Sequence, residues 1–442
     1  MLALALLAIA ARPLTTASLG VIWHAPFFSG GGYCSEATAF VLQLSKRIPV
    51  RIVQHGDGYN QQYMAGVAES TFRQLQDLYA ASAVRPEDGV AICHSEPGAW
   101  HPPGQQPSSW ERVACPPPGA RYAVGRTMFE TDRLPDGWAQ RLNAMDEVWV
   151  PSQHSFEVFA AGGVSKDKLH VVGEPVDTDF FSPGKPGRSP FELPPPEGVP
   201  EVRHRFLSIF KWEARKAWDI LLSAFFAEFQ RSEGIVLYLL TNPYHNTQGL
   251  SSAQDFQQEV ARFAQKLGRD VADLPAVEVL ETRVPEERLP ALYEAMDGFV
   301  LPSRGEGWGR PHVEAMSMGL PIAATNWSGP TEYATEDNSY PIQLDDTGTG
   351  EGGGDGLVEI ADGPFQGHRW AAPSLKSLRQ QLREMVMDPA RGKMKGARAR
   401  QDMLEKFTPS VLASTIESHL RRIEAHLIAG DNVGTTTDKV DL

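Results

Sequence analysis

The chain has 442 residues, with 41 Lys and Arg against 55 Asp and Glu, a formal net charge of −14 at pH 7. That balance excludes a broad basic surface for DNA or RNA and a coat on anionic membrane, since both rely on many cationic contacts. It does not exclude an anion held at one local site, and 42% hydrophobic against 22% charged residues is an ordinary globular composition for two or three domains.

Residues 1–18 carry the longest apolar run, LALALLAIAA at 2–11. It is too short to span a bilayer, so no transmembrane segment is expected. It reads equally as the apolar part of a signal peptide or as an extended start, which leaves the compartment open. From residue 19 the pattern alternates strand and helix and predicts an α/β fold with parallel sheets. Strand-like runs fall at 19–24, 50–54, 89–94 and 147–150. A Gly30-Gly31-Gly32 turn follows the first of them and leads into a helix over 34–44. Cys34, Cys93 and Cys115 are odd in number and widely spaced, which predicts neither a disulfide framework nor a zinc site.

The Pro/Gly-rich stretch 183–203 reads as a linker between a first domain at 19–182 and a second at 204–407. A second set of strands is predicted at 206–210, 235–241, 277–280, 298–301 and 320–325. The segments 146–152 (DEVWVPS) and 297–303 (DGFVLPS) share the form of a buried strand followed by Pro-Ser, which fits two similar lobes. Residues 348–356 (GTGEGGGDG) read as a flexible insertion, and Asp345-Asp346 as a turn with no metal role. Thr408 is placed to cap a helix over 408–428 with an apolar stripe of Leu412, Ile416, Leu420, Ile423 and Leu427. That stripe needs a lobe to pack on, and the polar tail 429–442 is expected to be disordered.

Four stretches carry residues suited to chemistry. In PSRGEGWGRPHVEAMSM (302–318) a strand gives way to a Gly-punctuated loop, and Pro311 suits the first helical turn. Free N–H groups there favour an anionic ligand. Glu306 and Glu314 can accept hydrogen bonds from hydroxyls, although an isolated Glu314 in a first turn would simply offset the helix dipole. In FLSIFKWEARKAWD (206–219), Lys211, Arg215 and Lys216 crowd the end of a strand and the start of a helix striped by Trp218, Leu221, Leu222, Phe225 and Phe229. Cations there oppose the helix dipole unless an anion sits among them. The glycine turn permits close approach of a ligand to Gly31 and Gly32 but is not a dinucleotide fingerprint. His94 ends a strand, where ligands bind in open α/β sheets, although such a His is more often structural. Glu130 and Asp132, in GRTMFETDRLP, suit acid–base work or simply hold Arg126 and Arg133.

Together these residues resemble the retaining family 4 glycosyltransferases. Glu306 and Glu314 show the Glu-x7-Glu spacing, and GEGWGRPHVEAMSMGLPIAATNWSGPTEY is similar to that family's donor-site signature. FKWEARKAWD resembles its Arg/Lys motif and GEPVDTDFFSP its end-of-first-domain motif. The resemblance covers about residues 19–427 and implies a GT-B architecture: two Rossmann-like domains facing across a cleft, the last helix returning to the first. It further implies a nucleotide-diphosphate sugar (UDP- or GDP-linked) as donor and an acceptor recognised mainly by the first domain, whose loops at 60–64 and 99–118 show no decodable pattern. Glu314 would then bind ribose hydroxyls and Glu306 those of the transferred sugar. Gly309, Arg310 and Pro311 would meet sugar and diphosphate, with Arg215 and Lys216 neutralising the diphosphate. Gly31 or Gly32 would approach it from the first domain, and His94 would contact the donor sugar. Lys211 is the nearest counterpart of the family's upstream basic residue, shifted in register, and Ala217 stands where a Gly is usual.

Negative charge develops on the diphosphate as the sugar leaves, so the site asks for preorganised cations; with Arg215 and Lys216 present, no metal or cofactor is expected. The expected course is retention by front-face displacement, and Glu130 is the one carboxylate that a covalent double displacement would use. The alternatives are a GT-B epimerase or hydrolase, or a non-catalytic sugar-nucleotide-binding subunit.

Overall fold

The computed structural model describes residues 19–82, 84–100, 110–111, 113–199, 201–243, 249–268, 273–280, 283–348 and 354–431. The start at 1–18, the tail from 432, much of the 99–118 loop and most of the 348–356 stretch lie outside the described residues.

Two six-stranded sheets, each parallel throughout, form the core. The first contains β1 (Gly20–Ala25), β2 (Val50–Gln54), β3 (Gly89–His94), β4 (Tyr122–Arg126), β5 (Glu147–Val150) and β6 (Leu169–Val171), in the order β2-β1-β3-β4-β5-β6. The second contains β7 (His204–Lys211), β8 (Ile235–Asn242), β9 (Ala276–Val279), β10 (Gly298–Leu301), β11 (Ile322–Thr325) and β12 (Tyr340–Ile342), in the order β9-β8-β7-β10-β11-β12. Helices cover both faces, so the central strands β1, β3 and β10 are buried along their whole length and read as continuous apolar runs. In each sheet the strand order reverses beside its first strand, and crevices for ligands open at the carboxyl ends of strands at such a point.

Four helices matter most for the site: α1 (Gly32–Leu44), α2 (Trp218–Glu228), α3 (Arg310–Ser317) and α4 (Pro409–Asp431). Helix α4 crosses back to the first domain. Its Leu412, Ile416, Leu420 and Ile423 enter the same buried cluster as Val21, Phe40 and Val124, and Leu427 packs on its edge. Each such side chain contributes about 1.5–3 kcal/mol when fully buried. The helix runs through Asp431, the last described residue and three beyond the expected boundary. Thr408 Oγ1 accepts the Val411 N–H at 3.2 Å, as a capping residue does.

Three sequence expectations need correction. Cys93 and Cys115 form a disulfide, leaving only Cys34 free and buried. Both cysteines sit in one apolar cluster with Trp100 and Leu142, a proximity that residue spacing does not reveal. The stretch 183–203 is no free spacer: Phe191, Leu193, Val199 and Val202 pack on the second-domain core, and Arg188 pairs with Glu294 at 2.9 Å. Its apolar residues between the prolines have a surface to bury against. Strands β4, β6 and β12 and the antiparallel pair 357–359/369–371 went unread, because they are short and lack a sustained apolar run.

The domains touch on both sides of the cleft. A β-carbon at Gly305 would collide with the Glu130 carbonyl oxygen, so only glycine permits that approach of second-domain loop to first-domain backbone. Beside it, the hairpin 357–371 lies against the first domain. Arg369 donates to Asp132 through its backbone N–H (2.8 Å) and its Nε (3.1 Å), and the Phe365 and Phe129 rings meet at 4.9 Å.

Candidate active site

The cleft between the domains has a volume of about 650 Å³, within the range of small-molecule sites. On the second-domain side, β7 ends at Lys211 and a short turn carries Arg215 and Lys216 to the start of α2. Beside it, β10 gives way to the 302–309 loop, which leads into α3. Gly309 caps α3 at φ +105°, and a β-carbon there would press on His312 and the Tyr333 hydroxyl. Across the cleft the first turn of α1 contributes Gly32 and Tyr33.

Glu306 is the centre of this wall and is 7% exposed. Its Oε1 accepts from Lys216 Nζ at 2.6 Å and from Ser303 Oγ at 2.5 Å, and its Oε2 faces Arg215 Nη1 at 3.3 Å. Its backbone N–H donates to Ser328 Oγ at 3.0 Å, and Ser328 is held at φ +58° to provide that contact. Burial alone would raise the Glu306 carboxyl, but Lys216 and Arg215 outweigh it and hold it down to about 2. Glu306 therefore stays an anion and an acceptor only. Lys216 is itself lowered by burial and by neighbouring Arg215, with Glu306 opposing. Arg215 also pairs with Glu213 at 2.8 Å and with Glu130 of the first domain at 3.3 Å.

Glu314 lies behind this layer. The helix begins at Arg310, which puts Glu314 in its second turn, so the expectation of a first-turn carboxylate offsetting the dipole is corrected. Its Oε2 accepts from Tyr293 Oη at 3.0 Å, and its Oε1 stands 3.9 Å from Arg310 Nε. Burial raises its carboxyl against the pull of Arg310 and Tyr293.

Of the residues singled out in the sequence, Gly32, Glu130, Lys211, Arg215, Lys216, Glu306, Gly309, Arg310 and Pro311 line the cleft. Gly31, one residue outside α1, does not reach it. His94 does not reach it either. It is fully buried, its Nδ1 accepts the Trp23 indole N–H at 3.1 Å, and its Nε2 donates to Glu36 Oε2 at 2.9 Å. Both ring nitrogens are thus engaged, and burial lowers its pKa, keeping the imidazole neutral. Tyr33, which does line the cleft, packs edge-on to the His94 ring at 5.5 Å. The same Glu36 binds Arg126 (Nε at 2.8 Å), so Arg126 is held by α1 and not by Glu130 or Asp132. Asp132 pairs with Arg133 at 2.8 Å, as the alternative reading expected, and with Arg369 across the domains, and it does not line the cleft.

Several cleft residues escaped sequence reasoning, among them Tyr33, Glu96, Arg283 and Glu174. Glu174, in GEPVDTDFF, is 2% exposed, lines the cleft and leaves its Oε1 without a hydrogen-bond partner; its Oε2 lies 3.9 Å from Arg310 Nη1. Burial, and then Glu36, push its carboxyl well above the ordinary range, against Arg310 and Arg126. A glutamate in a motif that merely ends a domain gave no local signal. Among the described residues no cluster of three or more His, Cys, Asp or Glu is disposed to hold a metal, and no helix is long and apolar enough to cross a membrane.

Comparison with known proteins agrees with this geometry. The family model for group 1 glycosyl transferases matches residues 204–348, the segment that builds the cationic wall. A D-inositol 3-phosphate glycosyltransferase of Catenulispora acidiphila is 29% identical over 217 residues, covering 48% of this chain and 47% of that protein. The chain thus spans about half the length of that relative. A shorter match, 54% identical over 43 residues, is to the O-antigen chain mannosyltransferase B of Escherichia coli, covering 10% of this chain and 11% of that one. Among solved structures, a sucrose-phosphate synthase of Thermosynechococcus elongatus superposes with a TM-score of 0.62 at 13% identity, over 92% of this chain and all of that one. Anabaena HepE, in complex with UDP and glucose, gives 0.57 at 14% identity, over 91% of this chain and all of that one. Two all-parallel Rossmann-like sheets facing across a cleft, matched over nine-tenths of the chain by these structures, make the fold GT-B.

Proposed function

We propose that the chain is a retaining glycosyltransferase of the family 4 type, moving a hexose from a nucleotide-diphosphate sugar to an acceptor hydroxyl. The observation that carries this reading is the cluster of Arg215 and Lys216 around Glu306, at the carboxyl end of one sheet and opposite the start of α1. The match of residues 204–348 to group 1 glycosyl transferases supports it, as does the complex of HepE with UDP and glucose.

In this reading the bond from the anomeric carbon to the diphosphate oxygen breaks, and its electrons pass to the diphosphate. Lys216, Arg215 and Arg310 stabilise that charge, together with the N–H groups at the start of α1. Glu306, an anion at neutral pH, accepts hydrogen bonds from the transferred sugar and holds Lys216 in place. Glu314, expected to meet the ribose, does not line the cleft; from behind its wall it faces Arg310 at 3.9 Å and helps orient that cation. The acceptor hydroxyl attacks from the face the diphosphate leaves, and its proton passes to the departing phosphate oxygen. These cations supply the charge a divalent metal would otherwise provide. UDP- and GDP-linked sugars, tested singly with and without acceptors while nucleotide release is followed, distinguish the outcomes. Release that depends on acceptor supports transfer. Equal release in water indicates a hydrolase, and binding without turnover of any donor indicates a non-catalytic subunit.

A further inference from the structure

The two walls of the cleft differ in charge. The second domain presents Lys211, Arg215, Lys216, Arg283 and Arg310. Among the described residues, the first domain presents Glu96, Glu130 and Glu174 and neither Lys nor Arg. Three first-domain cations near Glu130 in sequence are committed elsewhere: Arg126 to Glu36, Arg133 to Asp132, and Arg141 to the Trp100 carbonyl. Around Glu130 the wall is aromatic. Phe129 meets Trp138 at 5.0 Å and Phe365 of the hairpin at 4.9 Å, and all three rings line the cleft.

A diphosphate seated on the cationic wall leaves the acidic, aromatic wall for the group that attacks the sugar. Carboxylates accept hydrogen bonds and donate none when ionised, so they suit hydroxyls and repel phosphate. Apolar ring faces suit the C–H faces of a saccharide. Resting on the glycosyltransferase reading of the same cleft, we infer that the acceptor is an uncharged, phosphate-free saccharide. Its hydroxyls donate to Glu96 and Glu130, beside the half-buried ring of Phe365, behind which Phe129 and Trp138 are buried. Negative charge already accumulates on this wall: the Glu96 carboxyl, exposed at its rim, is raised by partial desolvation and then by Asp57 and Glu130. A phosphate dianion placed there competes with Glu130 for Arg215 and stands beside Glu96, and a like charge in a specificity pocket disfavours a ligand. The Catenulispora relative is named for D-inositol 3-phosphate; the charge of this wall points to a different acceptor class.

The test compares matched acceptors that differ by one phosphate, such as methyl α-glucoside with glucose 6-phosphate and methyl α-mannoside with mannose 6-phosphate. A panel of UDP- and GDP-linked sugars serves as donors, and kcat/KM is measured for each acceptor. The phosphate-free member is expected to be used at least tenfold better, and Glu96→Gln to narrow that ratio severalfold. The ratio within one variant cancels any general loss of activity. Equal or better use of the phosphate esters overturns the inference. So does silence of every phosphate-free sugar while UDP or GDP still binds by calorimetry. If neither nucleotide binds, the donor reading falls first and takes this one with it.

Discussion

Lys216 Nζ stands 2.6 Å from Glu306 Oε1, joining the turn before α2 to the loop before α3 through one nearly buried ion pair. In the proposed reaction the pair holds a cation ready for charge that appears only as the sugar leaves, and such preorganised groups contribute most to catalysis. Lys216→Ala is expected to lower kcat for nucleotide release by about 10²–10³-fold. A change confined to KM would show that Lys216 binds substrate without favouring its reaction.

The same pair governs behaviour in acid. Glu306 is depressed to about 2, so it adds stability above its ordinary pKa that is lost as pH falls towards 2. Glu306→Gln leaves Lys216 and Arg215 with one buried partner fewer, at a cost of about 3–5 kcal/mol at pH 7. Urea denaturation from pH 7 to pH 3 should show the gap between variant and wild type closing as pH drops.

Glu174 works in the opposite direction. Its carboxyl is raised, so the stability it offers is complete below the ordinary carboxylate range and is lost as pH climbs through the raised value. Glu174→Gln should match the wild type at pH 5 and exceed it at pH 8. Ionising this buried carboxyl, whose Oε1 has no hydrogen-bond partner among the described residues, costs of the order of 1–3 kcal/mol. Melting curves across that range check the crossing, and identical curves would show that Glu174 is ionised and satisfied.

Ala217 is fully buried at φ +50° and ψ +39°, a left-handed conformation that costs a residue with a β-carbon about 1–2 kcal/mol. Ala217→Gly removes that strain but loosens the unfolded chain, so a net gain of up to about 1 kcal/mol in urea denaturation is expected.

Gly305→Val places a side chain against the Glu130 carbonyl. Neither backbone can yield without moving a domain. Nucleotide affinity is therefore expected to fall at least tenfold while circular dichroism stays unchanged, and small-angle scattering should show a larger radius of gyration.

The cationic wall of the cleft was legible because its members sit in two short segments, 211–216 and 306–311, whose spacing shows them converging on strand ends. His94 was misjudged for a geometric reason. Neighbours on a strand face opposite ways, so Cys93 joins the cluster with Trp100 while His94 turns towards Glu36 on α1. A strand end reveals the depth of a residue and not its face. Glu174 and Asp132 were obscure for another reason: their environments come from residues more than a hundred positions away, Arg310 for one and Arg369 for the other.

The return of α4 to the first domain also has a consequence for biosynthesis. Domains on a growing chain generally fold as units, amino-terminal first. Here the helix that completes the amino-terminal core is made after the whole second domain. Until it leaves the ribosome, Val21, Phe40 and Val124 lack its apolar stripe. The domain translated first is therefore the last to close its core, and in the interval its open face is a natural client for chaperones.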